Sequence, residues 1–130
     1  MRCKNMTIGL LFILALIISS CGMHENTQEE DERELESLAN KINDIIGDAS
    51  CNDSTDCRAI AFGSKPCGGP WSYLVYSIVD TDTILLAVDV DLYNSMEVNY
   101  NEKWGINSDC MVVPPPSRLV CEDGHCAAEY

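Results

Sequence analysis

Six cysteines, Cys51, Cys57, Cys67, Cys110, Cys121 and Cys126, fall within residues 51–126 of a 130-residue chain, and they constrain its fold more than any other feature. An even set of cysteines in a short exported domain reads as three disulfides; fifteen connectivities exist for six cysteines, and spacing alone selects none. Zinc is the competing use of such residues. The spacings Cys51-x5-Cys57, Cys57-x9-Cys67 and Cys121-x4-Cys126 contain no C-x2-C knuckle, and His125 is the one histidine nearby, so no metal site is expected. A domain this small buries little apolar surface, and each bridge typically adds about 2–4 kcal/mol.

Cys3 and Cys21 belong to a different part of the chain. Arg2 and Lys4 form a short positive segment, and Met6 to Ile18 is an almost uninterrupted apolar run, too short to span a bilayer comfortably. The run ends in Ile18-Ser19-Ser20-Cys21, which resembles the bacterial lipobox. That resemblance implies a signal peptide over residues 1–20, cleavage before Cys21, and acylation of Cys21 as the new first residue. Two or three acyl chains on one residue suffice for stable attachment, so the expected partner is a membrane that the protein is anchored to and does not cross. Gly22 stands where Asp would retain an enterobacterial lipoprotein in the inner membrane, and the expected location is therefore a bacterial cell envelope, at the outer membrane.

Charge narrows the partners. The full chain has 21 acidic against 8 basic residues, a net charge of −13, and the leader removes two of the basic ones. Nucleic acid is excluded as a ligand, because phosphate neutralisation needs a basic surface. Acid concentrates in Glu25, Glu29, Glu30, Asp31, Glu32, Glu34 and Glu36, which reads as a solvated spacer off the membrane. Residues 21–34 are accordingly taken as an acidic tether and 35–130 as one disulfide-stapled domain that includes the N-terminal helix.

Periodicity supplies the elements. Leu35, Leu38, Ile42, Ile45 and Ile46 recur at helical spacing, Thr27 with Glu30 has the form of a capping box, and Gly47 is placed to stop the last turn, so a helix runs from about Gln28 to Ile46. Its one apolar face predicts docking on the domain. Strands are expected at Arg58 to Phe62 and Trp71 to Ser77, joined by a turn containing Gly63, Pro66, Gly68, Gly69 and Pro70. Thr83 to Trp104 has no Gly or Pro, follows the cluster Asp80-Thr81-Asp82 and ends at Gly105; Leu85, Val88, Leu92, Met96 and Tyr100 fit a helix. Further strands are expected near Cys110 to Val113, at Arg118 to Cys121 and from His125 to about Glu129. Asp123-Gly124 marks a two-residue hairpin that sets Cys121 opposite Cys126 and Glu122 opposite His125. The resulting fold class is α+β: an antiparallel sheet of four to five short strands with an N-terminal and a long central helix.

The frame Cys51-x5-Cys57-x9-Cys67-Gly68-Gly69-Pro70-Trp71-Ser72-Tyr73-Leu74-Val75-Tyr76-Ser77, with Ser108-Asp109-Cys110 and Cys121-x2-Gly124-x-Cys126, resembles a family of small six-cysteine bacterial lipoproteins and secreted proteins. The resemblance implies fold and location. It brings no activity and no site residues.

An enzyme is not expected. His24 lies in the tether and His125 beside a hairpin turn, and Ser72 and Ser77 lack a nucleophile elbow. The carboxylate pairs Asp53 with Asp56, Asp80 with Asp82 and Asp89 with Asp91 are read as caps or as side chains on opposite sides of a helix, not as calcium ligands, and no cofactor is implied. The candidate binding patch is Gly68, Gly69, Pro70, Trp71 and Tyr73, a cysteine-held turn beside two aromatics, able to engage an envelope or secreted protein. Inhibition of an exported hydrolase is one form of this, with Arg58 or Lys65 as a basic side chain for a specificity pocket, although Pro66 disfavours Lys65. A structural envelope protein and a thiol-disulfide redox protein are the alternatives.

Overall fold

The computed structural model describes residues 25–130, and the expectations for the leader and for Cys21 lie outside them. Helix α1, Gln28–Ile46, starts at the capping box: Thr27 takes the Glu30 backbone N–H while the Glu30 carboxylate takes the Thr27 N–H, and Gly47 closes the helix. Acidic residues in the first turn complement the positive end of the helix dipole. Helix α2, Thr83–Trp104, begins at Asp82, whose side chain accepts from the Leu85 N–H, and ends at Gly105 in a left-handed conformation.

The helices lie antiparallel, because the start of α1 meets the end of α2. Asp31 accepts from Lys103 Nζ at 2.8 Å and from Trp104 Nε1 at 2.9 Å, and Gln28 reaches the Tyr100 hydroxyl at 2.8 Å. At the other end Lys41 donates to Asp89 Oδ1 at 3.1 Å, with Oδ2 at 2.8 Å in an ion-pair geometry too bent for a hydrogen bond. The acidic segment from Gln28 onward is thus helical and clipped to α2 through Gln28 and Asp31, while Glu29, Glu32, Glu34 and Glu36 stay exposed. Leu35 is buried between these clips and Ile42 and Ile46 beyond the second, and Ile42, Ile46, Ala49, Leu86 and Val90 form the centre of the core.

Two hairpins cover the core. Strands β1, Cys57–Phe62, and β2, Ser72–Ser77, pair antiparallel from Cys57 with Ser77 to Phe62 with Ser72, and Ile60, Phe62, Leu74 and Tyr76 pack on the core from one face. Phe62 stacks on Tyr93 of α2 at 4.3 Å. Strands β3, Arg118–Glu122, and β4, His125–Glu129, pair with Cys121 opposite Cys126 and Glu122 opposite His125. Asp123 and Gly124 both have positive φ, as a primed two-residue turn requires.

Two expectations need correction. The strands form two separate two-stranded sheets instead of one sheet of four or five. The hairpins are joined by sulfur: Cys51 bonds Cys121 and Cys57 bonds Cys126, assisted by a bridge between Ser50 and His125. The segment Cys110 to Val113 is also no strand. Proline follows at 114–116, where it removes backbone donors, and among the described residues no strand pairs with the segment.

The hydrogen bond from Lys103, then that from Trp104, holds the Asp31 carboxyl below its ordinary value of 3.8. A depressed carboxyl pKa contributes stability that is present above the unfolded value and lost as pH falls through the folded one. Asp31→Asn should therefore lower stability at neutral pH, and the difference from the parent should close as pH falls below 3.8, read by urea unfolding at a series of pH values.

Candidate functional site

The loop between β1 and β2 is built around a close approach. A Cβ on Gly63, which has φ of 81°, would stand 2.6 Å from Trp71 Cδ1 and 2.9 Å from a Glu97 carboxylate oxygen, so only glycine fits. Helix α2 holds this loop by a polar stripe. Asn94 accepts from the Gly63 N–H at 2.7 Å, Glu97 accepts from the Ser64 N–H, and Asn101 donates to the Ser64 carbonyl at 2.7 Å. Burial pushes the Glu97 carboxyl above its usual value, and the Ser64 bond only partly opposes that. Burial, then the Glu97 charge, raises Tyr93 in turn.

Lys65 turns inward from the same loop and is 7% exposed. Its ammonium donates to Asp109 at 3.1 Å and to the Met111 carbonyl at 2.9 Å, and it lies 5.0 Å from the centre of the Trp71 ring. The Cys67–Cys110 disulfide joins the two segments two residues further along. Lysine and cystine together therefore fix residues 109–111 against the β1–β2 loop. Beyond that clamp Met111 is 70% and Val112 is 87% exposed, and among the described residues no hydrogen bond reaches the backbone of Val112 or Val113. Residues that precede proline are confined to extended conformations, which applies to Val113, Pro114 and Pro115. The segment from Cys110 to Pro116 is thus a strap, clamped at its start and stiffened at its end.

The sequence-predicted patch is only partly assembled. Gly68 and Gly69 are exposed at the loop tip, Pro70 is half-buried, and Trp71 lies over Gly63 and Lys65 while keeping 40% of its surface in solvent. Tyr73 is half-buried in β2 opposite Ala61. Sequence reasoning missed Met111 and Val112, which a strand would have half-buried. Of the two proposed basic side chains, Lys65 is buried and closed to a partner, whereas Arg58 is exposed, with one guanidinium nitrogen donating to the Thr55 and Cys57 carbonyls.

Other candidate chemistry resolves into structure. Asp53 accepts from the Thr55 hydroxyl and backbone, bonds that hold its carboxyl below the usual range, and Asp56 accepts from the Asn52 N–H, so both cap the short 3-10 turn Ser54–Asp56. His125 Nδ1 lies 2.9 Å from the Asp48 carbonyl. The sulfurs of Cys51, Cys57 and Cys126 lie within 4.8 Å of one another, but each is in a disulfide and offers no thiolate to a metal. Among the described residues no helix is long and apolar enough to cross a membrane.

No family model, curated protein or solved structure matches this chain.

Replacing Lys65 by methionine keeps the buried stem and removes the ammonium, so Lys65→Met should leave far-UV circular dichroism unchanged and free the strap. Backbone order parameters at Met111 and Val112 should fall from the rigid range near about 0.85 toward about 0.6 or below, measured by 15N relaxation.

Proposed function

We propose that the protein is a lipid-anchored binding module of a bacterial cell envelope, attached at the outer membrane through Cys21, and that the strap Cys110 to Val113 inhibits an exported hydrolase. It is proposed further to belong with the six-cysteine lipoproteins that its cysteine frame resembles. One observation carries the inhibitory reading: Val112 is 87% exposed, its backbone bonded by no group among the described residues, directly beyond a clamp made by Lys65 and the Cys67–Cys110 disulfide.

An endopeptidase cleft binds its substrate as an extended chain, through backbone hydrogen bonds and a side chain in the primary pocket. The strap offers that arrangement in advance. A clamped segment gives up less entropy on binding, by about 0.5–1.5 kcal/mol for each side chain already held. The Met111 carbonyl is engaged by Lys65 and cannot enter an oxyanion hole, so Val112 is the residue that occupies the primary pocket, with Met111 before it. The target class is an endopeptidase with a medium-sized apolar pocket. Gly68, Gly69 and Trp71 flank the strap across the disulfide and supply the rim.

Two measurements test the parts separately. In cells fed labelled palmitate, the full chain should take up label and sediment with the envelope, and Cys21→Ser should lose both. Purified protein should competitively inhibit elastase-type or subtilisin-type endopeptidases and spare trypsin-type ones, with Val112→Asp weakening inhibition at least about tenfold. Absence of inhibition across that panel, or rapid cleavage after Val112, overturns the inhibitor reading and leaves a structural envelope role.

A further inference from the structure

Helix α2 is apolar on two sides, and the described residues pack on one of them. Leu86, Val90 and Tyr93 face the core. Ile84, Val88 and Leu92, spaced four apart, are 79%, 60% and 49% exposed on roughly the opposite side, with Leu85 beside them and Ile78 and Val79 exposed just before the helix. Isolated exposed aliphatics are ordinary, whereas a contiguous stripe marks an interaction surface. The stripe stands apart from the strap, which is clamped by Lys65 to the β1–β2 loop that Asn101 holds at the other end of the helix.

We infer that this stripe is a docking face for a cationic amphipathic helix of a partner protein. Charge selects that occupant. Every Lys and Arg among the described residues is already engaged: Arg33 by Glu29, Lys41 by Asp89, Lys65 by Asp109, Lys103 by Asp31, Arg118 by Glu129, and Arg58 by two carbonyls. Asp80, Asp82 and Asp91 border the stripe, are exposed, and pair with no cation among the described residues. A second copy would bring these carboxylates against their own kind, whereas lysines or arginines flanking an apolar helix would meet them.

Position and charge favour a protein over the bilayer as the occupant. Cys21 and Glu25 are four residues apart, a reach of at most about 14 Å. The described chain starts where Lys103 bonds the Asn26 carbonyl, at the C-terminal end of a 22-residue helix about 33 Å long. The apolar stripe occupies the far half of that helix. An anchor at Cys21 therefore attaches near the opposite end of the helix from the stripe, and the net charge of −13 opposes contact with anionic lipid.

The test titrates the full chain, as its host processes it, with a synthetic amphipathic Leu/Lys helical peptide in physiological salt, beside a Lys/Ser peptide of equal charge. The Leu/Lys peptide should bind at least about tenfold tighter, with a negative heat-capacity change, and Val88→Ser/Leu92→Ser should remove that advantage. Both positions are exposed, and circular dichroism checks the fold; the single Val88→Ser variant serves if the pair unfolds. Equal binding of the two peptides, or full binding by the variant, overturns the proposal. So does a concentration-dependent dimer, or binding to phosphatidylethanolamine/phosphatidylglycerol vesicles, that the same substitutions abolish, since either assigns the stripe another occupant. Because the readout leaves Val112 untouched, failure here and failure of the inhibitory strap are separate results.

Discussion

Two disulfides set side by side do what no backbone ladder does in this fold. Cys51–Cys121 and Cys57–Cys126 close loops of 70 and 69 residues and draw the β3–β4 hairpin onto β1. In the chain-entropy description a loop of that size is worth about 4 kcal/mol, and because the two loops nearly coincide the second adds less than the first. Their weight comes from the smallness of the core. Ile42, Leu86 and Val90 are the large aliphatic side chains that are fully enclosed, and a core of that size gives slender stability alone. With the hairpins held by sulfur, their strands can stay short and their sheets separate.

The third disulfide works on a different problem. Cys67 and Cys110 are both exposed, and their bond joins two segments without regular structure. Such segments would otherwise sample many conformations. Lys65 is buried between them to satisfy a carboxylate, a carbonyl and an aromatic face at once. A buried ammonium without such partners would be costly, and with them it fixes the relative position of both chains. The polar stripe Asn94, Glu97 and Asn101 extends that fixation into α2. Stiffness at the strap thus derives from the Cys67–Cys110 bond and these polar contacts, while the core supplies the platform.

The helices were legible in the sequence because their ends carry chemistry that acts locally. Thr27 with Glu30, Asp82, Gly47 and Gly105 each fulfil the capping role that their type and position suggest. The Asp123-Gly124 turn was legible for the same reason, and with it the register of Cys121 on Cys126. Faces were harder. Leu85, Val88 and Leu92 have helical spacing, yet Leu86 and Val90 are the buried residues, because residues 84–92 are apolar nearly all round and periodicity cannot choose between two such sides. Strand pairing beyond the hairpins depended on connectivity that spacing leaves open among fifteen possibilities. The inward turn of Lys65 had no local signal, since its partners lie more than forty residues away. That one side chain takes the Met111 carbonyl and, with the prolines at 114–116, keeps the strap out of a sheet.

Helix α1 is the element that precedes every one of these disulfides: the first cysteine of the set is Cys51, and the helix ends at Ile46. It is therefore joined to the domain by side-chain contacts and by the chain itself, while everything after it is cross-linked. Tension on the chain ahead of Glu25 enters at the first turn of α1, where Asp31 is held by Lys103 and Trp104. There the load is passed sideways into α2, whose far end is seated in the cystine-bound hairpins through Leu86 and Val90. The Asp31 clip is the first contact such a load meets, and behind it lie Leu35, Ile42 and Ile46, so pulling α1 away would take the centre of the core with it.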